Sequence, residues 1–274
     1  VELDVYGGHF AAPDAGRLLF YTGYEGLTPF FGGSFNLPFG LVPHEYEILG
    51  AALLALSLFG AAFGIILRGT AFAVRGQAAT IAQARGALLL THGRGATAAS
   101  ILGLGTEMGV EDLAWFAPQA AGNTWYPNSF LAPIAQNEPG ITSGLQVLAD
   151  LVAHIERNGV PAERIALCGF SQGACLTLEF GARHARRYGA LIGLSGGLIG
   201  PDDTPRDYAG SLDGTPVFLG CSDVDFHIPV ARVHESAAVL SSLSGDVDAR
   251  IYPGMGHMVN EDEISAARAL LLAM

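Results

Sequence analysis

From residue 85 onward, short uninterrupted apolar runs alternate with longer stretches of helical spacing. ALLLT (87–91) reads as a short buried strand, and LAWFAP (113–118), RIALCG (164–169), ALIGLS (190–195), PVFLG (216–220) and DARIYP (248–253) read as further strands. Their continuous apolar runs point to a sheet covered on both faces. Between them, Thr97 to Glu107, Ile141 to Arg157, Gln172 to Arg187, Pro229 to Leu243 and Glu261 to Leu272 read as amphipathic helices. Thr142 or Ser143 is the expected cap of the second helix, and Gly159 and Pro161 its stop. Repeated β-α units of this kind predict an α/β fold: one mostly parallel sheet with helices on both faces. There is no internal repeat and no low-complexity tract.

Residues 1–84 have a different pattern. Gly7-Gly8, Gly32-Gly33 and several prolines interrupt an aromatic-rich stretch that runs through Phe39. Then residues 48–67, ILGAALLALSLFGAAFGIIL, carry no charge. Twenty such residues can span a hydrocarbon core as a helix, and Gly60 and Gly64 have the spacing that suits helix packing in lipid. The alternative is a buried helix of a globular domain. Glu45 and Glu47 precede the run, and Arg68, Arg75 and Arg85 follow it, which places the rest of the chain on the cytoplasmic side of any such span. The expected organisation is therefore an N-terminal extension, 1–84, with a candidate membrane helix at 48–67, and a second domain at 85–274. The opening Val fits a fragment or a reading frame extended upstream.

Composition narrows the partners. The net charge is −12 and all basic residues are Arg, so the surface repels phosphate backbones and nucleic acid is not an expected partner. The three cysteines, Cys168, Cys175 and Cys221, lack the spacing of a zinc site or a disulfide framework. Neither a metal nor a cofactor is expected.

Candidate chemistry concentrates at three places. Gly169-Phe170-Ser171-Gln172-Gly173 is a G-x-S-x-G sequence between a predicted strand and a predicted helix. In that context the turn lifts the Ser171 hydroxyl above the sheet edge, and the Gln172 N–H faces the position of an oxyanion. A serine hydroxyl needs a base. Four histidines follow it: His184, His227, His234 and His257. His184 belongs to the helix after the turn, whereas His257 lies in a glycine-rich loop directly after a predicted strand, between Gly254 and Gly256 on one side and Met258 on the other. His257 is the expected general base. The acid should come from Asp223 or Asp225, both on the loop after PVFLG; Asp225 is preferred, with Asp223 suited to bonding its own loop. His227, beside Asp225, is read as a loop residue. A second oxyanion donor is expected from the loop T-H-G-R-G-A (91–96), at the Arg94 N–H.

Together, L-L-L-T-H-G-R-G-A, G-F-S-Q-G-A, D-V-D-F-H-I-P and P-G-M-G-H resemble the phospholipase/carboxylesterase family of α/β-hydrolases, which includes acyl-protein thioesterases. The resemblance covers about residues 85–273 and leaves residues 1–84 outside it. It implies an α/β-hydrolase fold and cofactor-free cleavage of carboxylic esters or thioesters through an acyl-enzyme, and it favours Asp225 over Asp223.

Trp125, Tyr126, Phe170, Phe226 and Met255 are the expected walls of an apolar acyl or alcohol pocket; the alternative for Trp125 is that it packs its loop onto the body. The expected partner is a small-molecule ester, with membrane contact confined to 48–67. A competing organisation makes the chain a membrane-embedded accessory subunit whose hydrolase domain serves for docking. Dienelactone-type hydrolysis would favour Cys where this chain has Ser171.

Overall fold

The computed structural model describes residues 81–274 together with three strands nearer the N-terminus, β1 (Glu2–Asp4), β2 (Leu19–Thr22) and β3 (Thr70–Arg75). The candidate membrane helix at 48–67 lies outside the described residues. Among the described residues no helix is long and apolar enough to cross a membrane.

Six strands form the parallel body of one sheet: β4 (Gly86–Thr91), β5 (Leu113–Gln119), β6 (Ile165–Phe170), β7 (Ala190–Leu194), β8 (Pro216–Ser222) and β9 (Asp246–Tyr252). Their spatial order is β5-β4-β6-β7-β8-β9. β3 joins the β5 edge antiparallel, pairing Phe72 with Gln119 and Val74 with Ala117, and it carries β1 and β2. β3 thus falls within residues 1–84, yet hydrogen-bonds to the sheet of the second domain.

The helices are α1 (Ala98–Met108), the short α2 (Ile134–Asn137), α3 (Gly140–Arg157), α4 (Gln172–Arg183), α5 (Val230–Ser242) and α6 (Glu261–Ala273). Because strand side chains alternate, β4 supplies both cores. Leu88 and Leu90 pack with Ile101 and Leu102 of α1 and Leu271 of α6. Ala87 and Leu89 pack with Leu148 and Ile155 of α3, Leu176 and Leu178 of α4, and Leu240 of α5. The predicted parallel sheet with helices on both faces is the architecture observed, and it is that of an α/β-hydrolase.

Some boundaries differ from the pattern. α3 begins before Thr142, and neither Thr142 nor Ser143 caps it; instead the Glu138 carboxylate accepts the Thr142 N–H at 3.1 Å and its hydroxyl at 2.9 Å. A carboxylate there satisfies an orphan amide and complements the positive end of the helix. α4 stops at Arg183, not Arg187, with His184 stacked on Phe180 and Tyr188 turned into the core. The edge strand β9 is rich in charged residues, and its Arg250 bridges Asp248 and, on α6, Asp262. Charged side chains on an edge discourage pairing with a second sheet.

The strand order reverses at one point. The chain leaves β4 for β5 on one side and returns, through α3, to β6 on the other. Ligand sites in open α/β sheets form beyond the carboxyl ends of the strands at such a switch point. Here those ends are Thr91 and Phe170, whose following residues are His92 and Ser171.

Candidate active site

Ser171 stands between β6 and α4 with φ 55° and ψ −122°, a backbone conformation that an L-residue holds only when its surroundings force it. Its N–H is bound to the Leu194 carbonyl at 2.9 Å, and its carbonyl accepts the Cys175 N–H at 3.0 Å. The flanking glycines allow this turn. A Cβ on Gly173 would overlap the carbonyl oxygens of Thr91 and His92, and one on Gly169 would overlap that of Gly173. Strand β4, strand β6 and helix α4 can therefore meet only without side chains at those two positions.

Three side chains from separate loops meet above the sheet edge. The Ser171 Oγ lies 2.8 Å from His257 Nε2, and His257 Nδ1 lies 2.7 Å from Asp225 Oδ2. The other carboxylate oxygen of Asp225 accepts the backbone N–H groups of His227 at 2.8 Å and Ile228 at 3.1 Å. Burial alone would raise the Asp225 carboxyl, but the hydrogen bonds from His257 and these two amides outweigh it and hold the group below the usual carboxylate range. An ionised Asp225 accepts a proton-bearing Nδ1, which leaves the Nε2 lone pair facing the serine hydroxyl. His227 supports this arrangement mainly through its backbone, while its ring meets His257 edge-on, with centroids 4.8 Å apart.

The loop bearing His257 is held from three directions. Asp223 Oδ1 accepts the Gly254 N–H at 2.7 Å, and Ser222 Oγ accepts the Gly256 N–H at 2.9 Å. Beyond the histidine, Asn260 and Glu263 form a reciprocal cap that starts α6. Asp223 thus bonds its neighbouring loop, and it is Asp225 that reaches the imidazole.

Gln172 is the first residue of α4, so its N–H has no acceptor within the helix. Opposite it runs the loop after β4. A Cβ on Gly93 would lie 3.3 Å from the Ser171 Cβ, which sets the Gly93 backbone directly against the serine. His92 anchors that loop from below. Its Nε2 accepts the Ala120 N–H at 3.1 Å, so the proton sits on Nδ1, 2.8 Å from the Gly93 carbonyl. Burial lowers the His92 pKa, keeping the ring neutral.

The aromatic residues divide into two groups. Phe170 packs against the His257 ring at 5.1 Å, and Phe226 lies 6.2 Å from it while remaining mostly exposed. Met255 is half-buried beside the same loop. Trp125 and Tyr126, expected as pocket walls, are instead buried in the core. Trp125 donates its indole N–H to the His92 carbonyl at 2.8 Å and packs on the His92 ring, so its bulk ties the loop to the body. Nothing in the local pattern AGNTWYPNSF distinguishes that packing from a pocket wall. No local sequence signal marks the contacts of Ser222 with the Gly256 N–H, of Asp223 with the Gly254 N–H, or of the Ser195 hydroxyl with the Met258 carbonyl at 3.5 Å; each is to backbone brought near by the fold.

A family model described as Phospholipase/Carboxylesterase matches residues 78–273. The chain belongs to the phospholipase/carboxylesterase family. Among curated proteins it is 30% identical over 173 residues to acyl-protein thioesterase 1 of Gibberella zeae, covering 61% of this chain and 71% of that protein. It is also 30% identical over 146 residues to acyl-protein thioesterase 1 of Yarrowia lipolytica, covering 52% of this chain and 64% of that protein. Among solved structures, a phospholipase/carboxylesterase from Dyadobacter fermentans is 42% identical, with a TM-score of 0.70 over 73% of this chain and 95% of that one. Family membership makes this chain a hydrolase of esterase or thioesterase type.

Proposed function

We propose that the protein cleaves carboxylic esters or thioesters with an apolar acyl group through a Ser171 acyl-enzyme, with His257 as general base and acid and Asp225 as its orienting carboxylate. The observation that carries this reading is the continuous hydrogen-bonded line from Ser171 Oγ through both nitrogens of His257 to Asp225.

In the first stage Ser171 Oγ attacks the ester carbonyl carbon as its proton passes to His257 Nε2. The carbonyl oxygen becomes an oxyanion and is received by the backbone N–H groups of Gln172 and Arg94. Asp225 stabilises the imidazolium that results. His257 then returns the proton to the leaving alcohol or thiol as the carbon–oxygen or carbon–sulfur bond breaks. Water enters, gives a proton to His257 and attacks the acyl-enzyme; the acid departs and Ser171 recovers its proton. Atoms balance without a cofactor.

Phe170 and Phe226 place apolar surface beside the imidazole, and Met255 lies two residues before it on the same loop, which supports an apolar group on the substrate. The relatives named acyl-protein thioesterases support the inclusion of thioesters. The division into an extension at 1–84 and a hydrolase domain at 85–274 belongs to this proposal.

The test is hydrolysis of p-nitrophenyl esters and matched acyl thioesters by the full chain and by His257→Ala. The reading expects saturable turnover of at least one of the two classes by the native protein. It expects a fall of about a thousandfold or more in the variant, the range over which such a base acts. Equal rates for both proteins would reject it.

A further inference from the structure

The two residues proposed to supply the oxyanion amides share a feature their backbone roles do not require. Both send their side chains to the same short loop. Gln172 Oε1 accepts the Trp125 N–H at 3.0 Å, and its Nε2 donates to the Tyr126 carbonyl at 2.8 Å. Arg94 Nη1 donates to the Pro127 carbonyl at 2.8 Å, and Nη2 to the Asn128 carbonyl at 2.5 Å. Four consecutive residues are thus gripped through their backbone groups, 125 and 126 by Gln172 and 127 and 128 by Arg94.

The loop is fastened to the Arg94 segment at two further points. The Gly95 N–H donates to the Asn123 carbonyl at 2.7 Å, and the Trp125 indole donates to the His92 carbonyl. Gln172 is nearly buried, so both of its amide ends must be satisfied, and this loop satisfies them. The guanidinium of Arg94, although largely exposed, spends two donors on carbonyls instead of projecting into water.

We infer that Arg94 and Gln172 are positioning residues: by holding residues 125–128 between them, their side chains fix the separation of the two backbone amides they carry. The inference rests on the proposed serine mechanism. The geometric reason is direct. Arg94 belongs to the loop after β4 and Gln172 to the start of α4; these segments touch at Gly93 and Gly173, and the two side chains add a second tie through residues 125–128. A displacement of about 1 Å at such a site can cost on the order of a hundredfold in rate. Phe170 and Phe226, the apolar contacts proposed for the substrate, lie outside residues 125–128, so the loss should fall on turnover.

The experiment uses the full chain and four variants: Arg94→Met, Arg94→Lys, Gln172→Met and the double methionine variant. Each is measured for kcat and KM on a p-nitrophenyl ester and for affinity toward a boronic acid, whose tetrahedral serine adduct places an oxygen where the oxyanion forms. Each single methionine variant should lose about 10- to 100-fold in kcat, with KM within about threefold, and should lose boronate affinity in parallel. The double variant should lose less than the product of the two single losses, because both act on one loop. Arg94→Lys separates grip from charge: it keeps the cation and loses the two-carbonyl contact, and should remain impaired.

Turnover near the native rate in Arg94→Lys, with Arg94→Met impaired, would overturn positioning in favour of a charge effect. Native kcat and boronate affinity in both single methionine variants would overturn it outright. If Gln172→Met fails to fold, the exposed Arg94 pair decides alone. Ser171→Ala is assayed in parallel: native turnover there would sink the serine mechanism, whereas an inactive Ser171→Ala with unaffected positioning variants sinks only this inference.

Discussion

Asp223 accepts the Gly254 N–H at 2.7 Å, while its near neighbour Asp225 is bound to His257 at the same distance. Two carboxylates on one loop therefore hold one histidine loop at two points, and only one of them touches the imidazole. Asp225→Asn should lower kcat by about ten-thousandfold, because the amide cannot fix the required tautomer. Asp223→Asn keeps an oxygen acceptor for Gly254 and should change kcat by less than about tenfold. Steady-state kinetics on one chromogenic ester compares them; similar losses in the two variants would show that the acid is misassigned.

Gly173 is the position where the elbow is least tolerant. Adding one methyl group drives it into the carbonyls of Thr91 and His92, which belong to the strand and loop carrying the opposite side of the site. Gly173→Ala should destabilise the protein by about 1–3 kcal/mol or more and should reduce activity even in the folded fraction. Urea unfolding gives the first quantity and active-site titration the second. A variant with native stability would mean that β4 and α4 are further apart than described.

Glu263 connects stability to pH. Its carboxyl is fully buried, one oxygen accepts the Asn260 N–H, and the other has no hydrogen-bond partner. Burial pushes its pKa from an ordinary 4.5 up to about 7. A folded-state pKa above the unfolded value means that the native state binds the proton more tightly. The stabilisation is complete below about pH 4.5 and is lost as pH rises through about 7. The melting temperature of Glu263→Gln, compared with native protein at each pH, should therefore move in the variant's favour between pH 5 and 8. A constant difference across that range would contradict the assignment.

Phe226 is 79% exposed although its ring lies 6.2 Å from that of His257. If it meets the apolar part of the substrate, Phe226→Ser should reduce kcat/KM for a long acyl ester about tenfold more than for an acetate, the effect of burying part of an aromatic side chain. Equal reductions would place the acyl chain elsewhere.

The elements that were legible in the sequence are those specified locally. A continuous apolar run such as ALLLT needs no distant partner to be read as a strand, and Gly169 and Gly173 around Ser171 announce a tight turn. His257 could be read from its glycine loop after a strand. The grip of Arg94 and Gln172 on residues 125–128 could not. It consists of side chains bonded to backbone groups more than thirty residues away, and any sequence offers the same carbonyls. Trp125 illustrates the same limit: apolar bulk on a loop fits a pocket or a core equally well until the neighbouring His92 carbonyl is placed. The start of α3 depended on Glu138, whose role as an acceptor is invisible without the backbone path preceding the helix.

The most direct measurement is covalent labelling with a fluorophosphonate, followed by peptide mass spectrometry and an ester assay on the same sample. The account predicts a label on the peptide containing residue 171, activity lost in proportion to labelling, and neither label nor turnover in Ser171→Ala. Labelling at another residue, or native turnover by Ser171→Ala, would contradict it.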